Sequence, residues 1–148
     1  MARFQFRMQS VLNLKARLEE QQKNAFAAAK KRLDDEIDKL DALYARKESY
    51  EDEGRHLRED ALYIQDLIDN ETAIVRMKEY IDAQKQVIAR AEQEVEEERR
   101  KMVEMMQERK TYERLREKAF EQFLEEEKHE EGVINDEHNS YVYGTKTE

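Results

Sequence analysis

Proline and cysteine are both missing from the 148 residues, tryptophan is missing too, and glycine occurs three times. Without proline, and with so little glycine, almost nothing in the chain interrupts a helix. Without cysteine there are no disulfides and no thiolate metal sites. No apolar run approaches the roughly 20 residues needed to span a bilayer, and the N-terminus lacks the apolar stretch of a secretory signal. The expected location is therefore cytosolic. Apolar residues make up 39% of the chain, charged residues 43%, and the mean hydropathy is −1.11. That is too polar for an ordinary globular core, and leaves disorder, an acidic tail or a coiled coil.

Periodicity selects the coiled coil. Ile74, Ile81, Ile88, Val95 and Met102 recur every seven residues, interleaved with Met77, Gln84, Ala91, Glu98, Met105 and Tyr112. Alternating steps of three and four keep one stripe facing a partner helix. In the first half the apolar positions read Leu18, Gln22, Phe26, Ala29, Leu33, Ile37, Leu40 and Tyr44, followed by Lys47 and Tyr50. From Leu18 these steps repeat every 11 residues, which predicts local unwinding between about residues 18 and 44. Polar seam residues (Gln22, Lys47, Gln84, Glu98) read best as register control, bought at some cost in stability.

The net charge of −9 argues against nucleic-acid binding, which needs a basic surface. Charge is also unevenly spread. Residues 1–32 hold eight Lys/Arg against two acids, and residues 92–137 hold seventeen acids against nine bases. Opposite charges favour a chain that doubles back. The expected fold is all-α: a single domain over 1–148, with two long helices in an antiparallel coiled-coil hairpin, the second longer. The first helix is expected at about 6–53, the apex at about 52–60, with Gly54 as helix stop and Asp60 as N-cap. The second helix is expected at about 60–136, with a flexible tail at 139–148; a turn at Asp69-Asn70 is the rival apex. This register puts Phe6 opposite about Arg109, so everything after Tyr112 overhangs. Tyr112, Leu115, Ala119, Phe120, Phe123 and Leu124 then form an uncovered apolar face that suits a partner, unless Phe4 and Phe6 fold over it.

Catalytic chemistry has no foothold. His56, His129 and His138 lack zinc-motif spacing; His129 with Glu126 and Glu130 reads as a solvated helix face. There is no phosphate-binding glycine loop, nucleophile elbow or HExxH motif. No enzyme activity, cofactor, metal or small-molecule substrate is expected.

The residues also resemble a known family. The start, FQFRMQSVLNLKARLEEQQKNAFAAA, with Phe4, Phe6, Val11, Leu12, Glu19 and Glu20, is similar to the N-terminus of the flagellar FliJ family. The stretch MKEYIDAQKQVI, with Ile81, Gln84 and Ile88, and the charged run from Glu108 and Lys110 through Glu113, Leu115, Glu117 and Lys118 to Asp136-Glu137 resemble its middle and end. The resemblance implies a part of the flagellar type III export apparatus, needed for flagellum assembly, motility and chemotaxis, whose hairpin looks like the central stalk of a rotary ATPase. It implies insertion into a hexameric export ATPase through Phe4, Phe6, Tyr112, Leu115, Phe120, Phe123 and Leu124. It further implies contact with an export-gate membrane protein through Ala73, Met77, Tyr80 and Gln84, binding of export chaperones, and peripheral association with the cell membrane at the flagellar base. Ala73 stands where the family has a larger apolar residue. The chain alone is expected to be a monomer. The alternatives are a homodimeric coiled-coil scaffold, or a coiled-coil chaperone.

Overall fold

The computed structural model describes residues 2–59 and 63–146. Helix α1 spans Gln9–Glu59 and helix α2 spans Ile64–Lys146, and among the described residues there is no strand. The helix ends follow the macrodipole: His56 and Arg58 lie in the last turn of α1 and Asp66 in the first turn of α2. Ala25 and Ala27–Ala29 supply strong helix formers to α1. The chain forms two units, Met1–Glu20 with Glu104–Glu148, and Gln21–Val103, and both contain segments of α1 and α2.

In the 21–103 unit the helices run antiparallel. Gln22 bonds to Glu98, Gln84 to Glu36, and Asn70 to Tyr50, so that rising numbers on α1 meet falling numbers on α2. The two residue numbers add to 120 in each of these pairs. Met77, Ile81 and Ala91 of α2 and Ala29 of α1 are buried. The α2 seam read from the sequence is the packed one, with Ile74, Ile88, Val95 and Met102 half-buried along it. In the other unit, Arg109 bonds to Glu19 and Arg116 to Gln9, again antiparallel.

Several expectations need correction. Covered positions on α1 step from Leu12 through Lys15, Glu19, Gln22, Phe26, Ala29, Leu33, Glu36, Leu40, Leu43, Lys47, Tyr50 and Gly54 to Leu57. These are heptad steps of three and four throughout, so the 11-residue repeat and its local unwinding do not hold. Ile37 and Tyr44, assigned to the seam, are 38% and 42% exposed, and their neighbours Glu36 and Leu43 take their places. Reading only for apolar residues passed over a glutamate in favour of Ile37. Keeping step with Ile37 then selected Tyr44 over the adjacent leucine that the 3.5-residue period requires.

Gly54 is not a helix stop. It lies inside α1 without a positive φ, and is buried. A Cβ there would stand 2.5 Å from Asn70 Oδ1, so glycine serves a close approach of the two helices. Asn70 lies within α2 rather than in a turn, and Asp60 falls outside the described residues. Because α1 runs on to Glu59, the pairing moves by several residues. Arg109 meets Glu19 instead of Phe6, and Phe4 reaches Phe120 and Phe123. Residues 6–8 precede α1, and residues 139–146 are helical where a flexible tail was expected.

Candidate partner-binding surface

The terminal unit contains an aromatic cluster. Ala2–Phe6 has no regular secondary structure and leads into α1, with Gln9 N donating to Phe6 O at 3.1 Å. This strap lays Phe4 on α2: its ring centroid is 5.1 Å from that of Phe120, edge to face, and 5.5 Å from that of Phe123. Phe120 and Phe123 stack at 6.5 Å. Such pairs each add about 0.5–1.5 kcal/mol beyond the area they bury. Arg116 holds the strap from above. Its guanidinium carbon lies 5.6 Å from the centre of the Phe4 ring, and its Nε donates to Gln9 Oε1 at 3.0 Å. Gln9 in turn donates from Nε2 to Asn13 Oδ1 at 3.0 Å.

The cluster is only partly covered. Phe120 remains 43% exposed, Leu115 43% and Leu124 50%, while Tyr112 is half-buried at a seam position. The stripe is thus shared between an intramolecular cover, Phe4, and solvent. Phe6, with Arg3, Arg7 and Met8, faces Leu115, Ala119 and Phe123 across a groove of about 500 Å³. Deeper in this unit, the buried Glu19 carboxylate accepts from Arg109, which also donates from Nη1 to Glu113 at 2.6 Å. These two bonds, Glu19 first, raise the Arg109 pKa above its ordinary value. Lys15 Nζ reaches Glu108 at 3.0 Å, as the charge asymmetry anticipates.

Within the other unit, the four residues assigned to gate contact divide. Met77 is 6% exposed, and the Gln84 side chain is bonded to Glu36. Tyr80 is exposed, and Ala73 is half-buried. Ala73, Tyr80, Arg46, Tyr50 and Arg76 border a groove of about 490 Å³. The helix spacing therefore brings Ala73, Met77 and Tyr80 to one groove, Met77 forming its floor from within the seam, while Gln84 serves the seam alone.

The sequence reading missed Arg116 and Glu36. Arg116 follows Tyr112 at a seam step, and that position was its only signal. Among the described residues, no cluster of His, Cys, Asp or Glu could hold a metal ion, and no helix is long and apolar enough to cross a membrane.

The family model described as Flagellar FliJ protein matches residues 4–148 of the chain. No curated protein and no solved structure matches it.

Proposed function

Because the chain belongs to the flagellar FliJ family, and so is a component of the flagellar export apparatus, we propose that it acts as a coiled-coil stalk. The aromatic face of the terminal unit docks into a hexameric export ATPase and stimulates it. The observation that carries this reading is the half-exposed cluster of Phe120, Phe123 and Leu124, with Phe4 fixed beside it. An apolar patch of this kind, kept open in a chain that is 43% charged, fits a contact site. Tyr80 and Ala73 contact the export-gate membrane protein, and export chaperones bind elsewhere on the helices. The chain acts in the cytoplasm at the flagellar base, peripherally associated with the membrane, and has no catalytic role of its own. Pairing of the seam within one chain supports a monomer, since α1 and α2 already cover each other's buried stripe.

The test is stimulation of the purified export ATPase. Phe120→Ala with Phe123→Ala should leave helicity intact, abolish stimulation and impair motility. Arg55→Ala with Arg58→Ala, in the last turns of α1, should leave stimulation unchanged. Stimulation that survives the aromatic pair and is lost with the arginine pair would overturn the assignment of the docking face.

A further inference from the structure

The groove between the N-terminal strap and α2 has a defined chemistry. Leu115, Ala119 and Phe123 line it from α2, and Phe6 and Met8 from the other side. Its volume of about 500 Å³ lies within the roughly 300–1,000 Å³ range of ligand clefts. That admits one large side chain with its neighbouring main chain. At the rim stand Arg3 and Arg7, against one carboxylate, Glu126. Neither arginine forms an ion pair with another described residue. The strap carrying them is fixed in advance by Phe4 on the two phenylalanines and by Arg116 across Gln9, so an occupant does not have to order it.

We propose that this groove receives a bulky apolar side chain flanked by carboxylates, presented by a loop of the docking partner. The proposal rests on the functional reading above and names the chemistry the partner must offer. The apolar walls take the side chain, and Arg3 and Arg7 select acids beside it through charge-assisted hydrogen bonds. A partner loop with basic flanks meets two unpaired cations and is rejected.

Two peptide probes test the chemistry on the full chain: acetyl-Glu-Leu-Phe-Glu-amide and its counterpart with lysines in place of the glutamates. In heteronuclear NMR titrations the acidic peptide should shift the signals of Arg3, Phe6, Leu115 and Phe123, and bind at least about fivefold more tightly, as expected for two exposed ion pairs. Arg3→Glu with Arg7→Glu should reverse the preference while the Phe4–Phe120 ring contacts persist. If those contacts are lost, Arg3→Gln with Arg7→Gln takes its place and should erase the preference. Equal binding of the two peptides overturns the proposal, as do shifts mapping outside the groove, or occupation of the groove by a second copy of the chain. The two readings fail separately. Selective peptide binding without ATPase stimulation by the unmodified chain sinks the stalk function alone. Stimulation that is unchanged by Arg3→Glu with Arg7→Glu sinks the groove alone.

Discussion

Gln84 donates its side-chain amide to both the main-chain carbonyl of Glu36, at 2.9 Å, and the Glu36 carboxylate, at 2.6 Å. Fourteen residues away along each helix the arrangement recurs with the roles exchanged. Gln22 on α1 donates to the Glu98 carbonyl at 3.0 Å and to the Glu98 carboxylate. Fourteen residues in the other direction, Asn70 donates to the Tyr50 carbonyl at 2.7 Å. Three amides, two heptads apart, thus tie α2 to α1 at one fixed offset. An apolar seam tolerates sliding by a heptad far better than a donor tolerates losing its carbonyl.

Removing one partner should therefore differ from removing both. Gln84→Leu leaves the Glu36 carbonyl and carboxylate without their cross-helix donor and is expected to lower the melting temperature. Glu36→Leu with Gln84→Leu should recover most of that loss in thermal unfolding. The double variant should broaden the distance between spin labels placed at Arg32 and Glu94, because its register is less constrained. A single narrow distance in the double variant would show that the register does not need the Gln84 amide.

Gly54 and Gly132 make opposite predictions. Both are helical, where glycine normally costs about 0.5–1 kcal/mol relative to alanine. Nothing lies within 4 Å of a Cβ at Gly132, so Gly132→Ala should stabilise by that amount. At Gly54 the new Cβ meets Asn70 Oδ1, a buried atom with no hydrogen-bond partner among the described residues, and Gly54→Ala should destabilise by about 1–3 kcal/mol. Combining it with Asn70→Ala should relieve the clash. Denaturant melts of the three variants decide; a stabilising Gly54→Ala removes the close approach.

These residues also mark what the sequence could disclose. The α2 seam was legible because isoleucine, valine and methionine advertise a 3.5-residue period. The α1 seam was legible only in part, because Lys15, Glu19, Glu36 and Gly54 stand at covered positions that composition assigns to solvent. Their burial is made tolerable by partners on the other helix, such as Arg109 for Glu19 and Gln84 for Glu36, which no local pattern reveals. Reading Gly54 as a stop then displaced the pairing, and with it the expected overhang. The aromatic residues of the candidate site were visible from the sequence. The strap that places Phe4 on them, and the Arg116 bridge that holds it, depend on the corrected register.

Glu36 gives a pH signature. The Gln84 hydrogen bond, and after it the one from Lys39, lower the Glu36 pKa below the ordinary carboxylate value. The folded-state pKa is thus below the unfolded one. Its contribution to stability is present in full above the unfolded value and disappears as pH falls through the folded value. Stability should decline on acidification below about pH 4.5, and Glu36→Gln should flatten part of that decline. Chemical unfolding at a series of acidic pH values checks this: identical slopes for the two proteins would mean that Glu36 does not contribute.

Met77 and Tyr80 allow fold and docking to be separated in the candidate gate surface. Met77 is 6% exposed and packs in the seam, whereas Tyr80 is 53% exposed beside the groove shared with Arg46 and Arg76. Met77→Ala should cost about 2–5 kcal/mol through the cavity it leaves, and it also removes a side chain from the floor of the groove, so its effect on gate binding mixes packing with contact. Tyr80→Ala should change stability by less than about 0.5 kcal/mol, because its ring is mostly in water already. If the groove docks the gate protein, Tyr80→Ala weakens capture of the purified gate domain while the melting temperature stays in place. Met77→Leu, which keeps the apolar volume, should restore both packing and capture. Full capture by Tyr80→Ala would remove the exposed edge of the groove from the gate contact.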